Sequence, residues 1–266
     1  ELSLVKACRR FPKEILSKRD FVASKIECGR TDEAMKKYPE YLFGKRPVDM
    51  QPRDWVAVLG KHPELCSVCD LSRFDGDDWQ VLLCRQPSLA NLCDWSLFNH
   101  ESWCNLLRWQ PQFASKCDFS GFTGEDWQSL LELQPQFGER CDWHVLDGHD
   151  WTWLLREQPQ FGDRCDWPKL KDCDSSDICY MLEKQPQFID RCNVQGFSGS
   201  DWRDLLIAQP QLQSKCEWRK LGQYDWRELL QKQPKLADNC NWERFTGENW
   251  SSLLGDQPQF ADKCDW

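Results

Sequence analysis

Histidine is scarce in this sequence, with 4 in 266 residues: His62, His100, His144 and His149. Each stands at a different point of the pattern described below, so no base recurs beside a candidate nucleophile. No GxSxG, P-loop or HExxH run occurs, and the commonest catalytic signatures are excluded with them. Long apolar runs are missing as well. None approaches the roughly 20 residues of a membrane-spanning helix. Nor is there a basic excess: 34 Lys and Arg stand against 43 Asp and Glu, a net charge of −9. That argues against nucleic-acid binding, which relies on clustered Lys and Arg, and against anionic membranes. No signal segment is read. The chain begins at Glu1 and reads as a piece of a longer one, so its targeting is not assessable.

What the chain has in excess is tryptophan and cysteine, 16 of each. Apolar residues make up 40% and charged residues 29%, and neither figure marks a disordered chain. So much indole supplies ample apolar area for a core.

The internal repeat organises everything else. Prolines 63, 87, 111, 135 and 159 are spaced by 24 residues, Pro186 follows after 27, and Pro210, Pro234 and Pro258 return to 24. Pro39 and Pro12 extend the comb backwards, giving about eleven units. In one clear copy, Thr123 and Asp126 have capping-box spacing, as do Asp75/Asp78, Asp147/Asp150, Ser198/Asp201 and Thr246/Asn249. Trp127, Leu130 and Leu131 then form an i, i+3, i+4 stripe, the apolar face of a helix. Pro135 ends that helix and can open a second, shorter one. The apolar positions do not alternate, and the prolines would break any central strand. The expected fold is all-α: a right- or left-handed α-solenoid of 24-residue repeats, each one α-helix plus a shorter helical segment. Residues 1–50, where Trp and Cys leave the pattern, are expected to be divergent repeats that can serve as a cap. Residues 51–266 form the regular array.

The unit DWxxLLxxQPQFxxxCDW, from Asp126 to Trp143 and again from Asp150 to Trp167, resembles that of bacterial tandem-repeat proteins with QPQFADKCDW-type motifs. The run from Gln259 through Phe260 and Cys264 to Trp266 matches that phrase closely. The resemblance covers residues from about 50 to 266 and implies no activity. In architecture the unit is also similar to leucine-rich-variant and HEAT-like α-solenoids, a likeness of fold only.

Cysteines 69, 93, 117, 141, 165, 192, 216, 240 and 264 share one repeat position. Equivalent cysteines stand about one helix layer apart, beyond the roughly 7 Å that a disulfide spans between Cα atoms. They are expected to be small buried hydrophobes, and free thiols favour a reducing, cytoplasmic setting. His62, Cys66 and Cys69 come nearest to a metal cluster but lack a second ligand pair at zinc-like spacing. Cys173 and Cys179, around the three-residue insertion, could be redox-sensitive, with nothing visible to lower their pKa. No metal or cofactor is expected. The recurring carboxylates have structural uses, as caps before each helix Trp and after each ladder Cys. The column Lys116, Arg140, Arg164, Arg191, Lys215 and Lys263 runs beside Glu139, Asp163, Asp190, Asp238 and Asp262, and reads as a solvated face with local ion pairs.

Fourteen tryptophans recur in register and are expected in the core: 55, 79, 103, 127, 151, 202, 226 and 250 on the helices, and 95, 143, 167, 218, 242 and 266 after the cysteines. Trp109 and Trp153 are left over. Counted from the helix Trp, positions +2 and +6 point away from the core. Trp153 and Tyr180 occupy +2 in successive repeats; Trp109 and Leu133 occupy +6, also in successive repeats. An exposed aromatic run of this kind is expected to contact a partner. The function read from the sequence is a non-catalytic scaffold for protein–protein interaction, with a protein or peptide partner and contacts at Trp109, Leu133, Trp153 and Tyr180. The alternative is a structural spacer or stalk of a larger protein.

Overall fold

The computed structural model describes residues 49–264. All but the last two residues of the expected cap, with Pro12, Pro39 and Trp266, lie outside the described residues. Within them the α-helices are α1 (Pro52–Leu59), α2 (Gly76–Arg85), α3 (His100–Trp109), α4 (Gly124–Leu133), α5 (Gly148–Glu157), α6 (Ser175–Lys184), α7 (Gly199–Ala208), α8 (Gln223–Lys232) and α9 (Gly247–Asp256). Each is followed by a 3-10 helix that starts on a comb proline, such as Pro135–Arg140 after α4. Most repeats add a second 3-10 turn, such as Trp95–Leu97. No strand occurs among the described residues. The described residues divide into two compact units on either side of the boundary between Phe122 and Thr123. Within each unit every α-helix packs on the next in sequence and on the 3-10 helix that follows it, so the fold is an all-α solenoid.

Local chemistry sets both helix ends. At the start of α4, the Asp126 N–H donates to Thr123 Oγ1 at 3.2 Å while Asp126 Oδ2 accepts from the Thr123 N–H at 2.9 Å. The same reciprocal box opens α2, α5 and α7 at Asp75/Asp78, Asp147/Asp150 and Ser198/Asp201. Thr246/Asn249 differs: Asn249 Nδ2 donates to the Thr246 hydroxyl at 2.9 Å, because a carboxamide brings a donor where the other boxes have a carboxylate. At the far end, the residue before proline is driven out of helical geometry, and Gln134 sits at φ −131°, ψ 66°. The acidic residue after the ladder cysteine also caps: Asp94 and Asp118 accept from the N–H groups of Ser96 and Ser120.

The core is the predicted stripe. Trp79, Trp127, Trp151, Trp202 and Trp226 are buried, together with the leucine pairs 82/83, 130/131, 154/155, 205/206 and 229/230. Burying each leucine stabilises by about 2 kcal/mol. In α6, Ile178, Met181 and Leu182 fill the same places. Two expectations need correction. Trp250 is half-buried, because no α-helix follows α9 among the described residues to cover it. The tryptophans after the cysteines are half-buried too, not core: Trp95, Trp143, Trp218 and Trp242 lie 5.3–5.4 Å, centroid to centroid and nearly parallel, over the helix Trp eight residues on. One ring face covers the core indole, and Trp95, Trp143 and Trp242 also lie 5.1–5.3 Å, centroid to centroid, from Phe113, Phe161 and Phe260.

Glutamine joins the layers. Gln158 Nε2 donates to the Glu132 carbonyl, Gln185 to that of Arg156 at 2.8 Å, Gln233 to that of Ile207 at 2.9 Å and Gln257 to that of Gln231 at 2.9 Å. The accepting carbonyls belong to the last turn of the preceding helix, where no intrahelical partner exists. A second glutamine, two residues on, donates to the first: Gln187 to Gln185 Oε1 at 2.9 Å, Gln160 to Gln158 at 2.7 Å. Gln185→Ala or Gln233→Ala is expected to cost about 1–2 kcal/mol in urea unfolding, since a sheltered carbonyl loses its donor. Gln187→Ala removes an exposed contact and should cost under about 0.5 kcal/mol.

Glycine at the first helical position permits close layer approach. A Cβ on Gly148 would stand 2.5 Å from the Lys169 carbonyl oxygen, and one on Gly199 2.5 Å from that of Lys220; at Gly247 nothing lies within 4 Å. Gly148→Ala and Gly199→Ala should therefore destabilise by about 1–3 kcal/mol. Gly247→Ala should be neutral or gain up to about 1 kcal/mol. Thermal unfolding of the three variants checks the contrast.

Candidate functional site

The described cysteines are all free thiols, and the ladder cysteines are half-buried where full burial was expected. The fully buried ones are Cys104 and Cys179, which follow the core residues Trp103 and Ile178 on α3 and α6. Burial pushes the thiols of Cys141, Cys216 and Cys240 from 9.0 to about 12, with Asp142 and Glu217 adding repulsion at the first two. Cys173 is raised to about 11, by burial first and then by Asp177 and Asp147. Thiols held protonated in this way are poor nucleophiles. His62 Nδ1 lies 3.2 Å from Glu64 Oε1. Among the described residues no three His, Cys, Asp or Glu side chains are grouped to hold a metal ion.

The charge columns join successive repeats, with Arg164 NH2 3.3 Å from Glu139 Oε1 and Lys215 paired to Asp190. These pairs are exposed, so each contributes about 1 kcal/mol at most. On α7, Arg203 reaches Asp204 at 2.8 Å, Asp225 at 3.2 Å and Glu228 at 3.2 Å.

The most distinctive surface lies on α5 and α6, which pack on each other and present equivalent positions side by side. Trp153 and Tyr180 are 38% and 39% exposed, with ring centroids 5.2 Å apart. The Arg156 guanidinium carbon lies 3.6 Å from the Tyr180 ring centroid, and its Nε donates to the Tyr180 carbonyl at 3.2 Å. Cation, phenol ring and indole thus pack together, an arrangement that holds large side chains rigid at the surface. His149 meets Trp153 edge-on at 5.9 Å, and its Nδ1 lies 3.1 Å from Asp177 Oδ2. Glu157 bridges Arg156 at 2.6 Å and Lys184 at 2.5 Å, and the Lys184 ammonium holds its carboxyl below the usual range. Glu183 has the opposite environment: burial, then Asp204, raises its pKa.

Of the four residues singled out by sequence, the structure brings Trp153 and Tyr180 into contact. Leu133 is 43% exposed at the end of α4. Trp109, 66% exposed at the end of α3, belongs to the other compact unit. Sequence reasoning missed Arg156, His149 and Asp177. It also passed over Val81, 37% exposed at the +2 position of α2, and Tyr224, 53% exposed near the start of α8. The periodicity that marks +2 could have found Val81. Arg156 is one cation among many until the folded layers set it on Tyr180. Comparison with family profiles, characterised proteins and solved structures finds no match.

The thiol ladder makes stability depend on pH. An unfolded chain loses these protons near pH 9, whereas the folded chain keeps them to about pH 12. Their contribution is whole below pH 9 and is lost as pH rises from 9 to 12. The Cys141→Ala/Cys216→Ala variant should be less stable than the parent at pH 7. It should also show a smaller further decline between pH 8 and 10.5 in urea unfolding.

Proposed function

We propose that this chain is a non-catalytic repeat scaffold that binds a protein or peptide partner through the exposed α5–α6 surface. The observation that carries the reading is the Trp153–Tyr180 pair, contributed by successive repeats, with Arg156 over the Tyr180 ring. Rigid aromatic side chains lose little conformational freedom on association and dominate interface energetics. Leu133 and Trp109 are further contact candidates, each on its own unit. The raised thiol pKa values and scattered histidines support a non-catalytic role. The net charge of −9 favours a polypeptide partner over nucleic acid. Free thiols favour a reducing compartment, and no described helix is long and apolar enough to cross a membrane.

The second reading is a spacer or stalk. The Arg156–Tyr180 and Glu157–Lys184 contacts also tie α5 to α6, and a spacer would keep them for stability alone. The deciding experiment is a cross-linking pull-down from source lysate with the native chain and with Trp109→Ala/Trp153→Ala/Tyr180→Ala, after circular dichroism shows both folded. A partner retained by the native chain and reduced at least about tenfold in the variant is the expected result. Equal capture by both moves the contact surface elsewhere. Capture by neither favours the spacer.

A further inference from the structure

Trp167 breaks the stacking rule of its counterparts. Trp95, Trp143, Trp218 and Trp242 each cover a helix tryptophan eight residues later. Eight residues after Trp167 stands Ser175, because the insertion shifts the helix by three, and the equivalent core position is Ile178. One repeat further on, Val194 stands where Trp143, Trp167 and Trp218 stand in other repeats. Trp167 keeps its tilted contact with Phe188 at 5.2 Å and has no stacked indole among the described residues. Beside Trp167 an open recess of about 290 Å³ lies between the 3-10 helix Trp167–Asp172 and residues 190–193, where the 3-10 helix Pro186–Arg191 ends.

The walls of the recess are chemically specific. The Trp167 ring is fixed, since its Nε1 donates to the Gly162 carbonyl at 3.2 Å. The Arg191 guanidinium carbon stands 5.5 Å from the ring centroid, and Lys171 lies on the same rim. Neither cation forms an ion pair among the described residues, whereas Asp190, the acidic residue of the wall, is paired with Lys215. The site therefore combines an immobilised indole, with the Arg191 guanidinium over its ring, and two cations that form no ion pair among the described residues. Flat rings stack on indole, and guanidinium groups bind carboxylate and phosphate through paired hydrogen bonds.

We propose that this recess binds a flat aromatic group carrying an anionic substituent. The ring lies against the Trp167 side of the recess, and the anion lies between Lys171 and Arg191. Such a group can come from a free aryl phosphate or carboxylate, or from an aromatic side chain flanked by acidic residues in a polypeptide. The recess shares no residue with the Trp153–Tyr180 surface, so the two readings stand or fall separately.

The test is a titration of the isotope-labelled chain followed by nuclear magnetic resonance, with phenyl phosphate as probe and inorganic phosphate and benzyl alcohol as half-probes. Phenyl phosphate should shift the Trp167 indole N–H and Arg191 Nε–H signals saturably. Each half-probe should bind at least about tenfold more weakly, because each lacks one of the two contacts. Trp167→Leu should abolish binding. Arg191→Gln, an exposed substitution that leaves the fold intact, should weaken it about tenfold. No saturable shift, equal affinity for inorganic phosphate, or unchanged affinity in Arg191→Gln would overturn the proposal. A Glu-Phe-Glu peptide distinguishes the sources: displacement of phenyl phosphate assigns the ring to a polypeptide, and failure to displace assigns it to a free small molecule.

Discussion

The helix cannot continue through proline, and the rest of the structure depends on how that interruption is used. Gln134, Gln158, Gln185 and their equivalents are forced out of helical geometry by the proline that follows. The same backbone turn lets the amides of Gln158, Gln185, Gln233 and Gln257 reach the unsatisfied carbonyls of the preceding helix. One dipeptide thus ends a helix and caps the previous one across the layer boundary. Each helix is about three turns long, too short to be stable alone in water. Layer-to-layer bonding and the buried Trp-Leu-Leu stripe therefore carry the stability together.

Small residues set how closely those layers approach. Gly76, Gly148 and Gly199 accept the backbone of the next repeat where a methyl group would collide with a carbonyl oxygen. Long cations reinforce the contact from outside: Lys169 Nζ reaches the His144 carbonyl at 2.8 Å, and an Arg244 NH1 reaches the Leu221 carbonyl at 3.1 Å. A core built this way does not draw on the +2 and +6 positions. That is why an aromatic pair can occupy the α5–α6 face without disturbing the stripe beneath it.

Departures from the pattern concentrate in one stretch. The insertion between Pro159 and Pro186, the loss of a side-chain cap at Asp174 and the substitution of Ile178 for tryptophan fall within a single repeat. Ser175 compensates in part, donating to Asp201 Oδ2 at 2.9 Å in the next layer. Trp153 and Tyr180 stand on either side of the insertion, and Trp167 and Lys171, on one wall of the recess, lie between them. Repetition maintains the scaffold, and its interruption provides the distinctive surfaces.

Sequence alone determined the all-α repeat, the helix starts at Thr123, Asp147 and Ser198, the helix ends before each proline, and the buried Trp-Leu-Leu stripe. Those features depend on interactions within about four residues, which spacing and side-chain type reveal directly. Exposure at Trp153 and Tyr180 was also legible, because it follows from the same helical period. Only the tertiary structure decided that the ladder cysteines and the tryptophans after them are half-buried, that Gln158 and Gln185 join layers, and that Arg156 lies on Tyr180. Those contacts join residues 24 or more positions apart. Their formation depends on the offset between one layer and the next, a distance that no local spacing encodes.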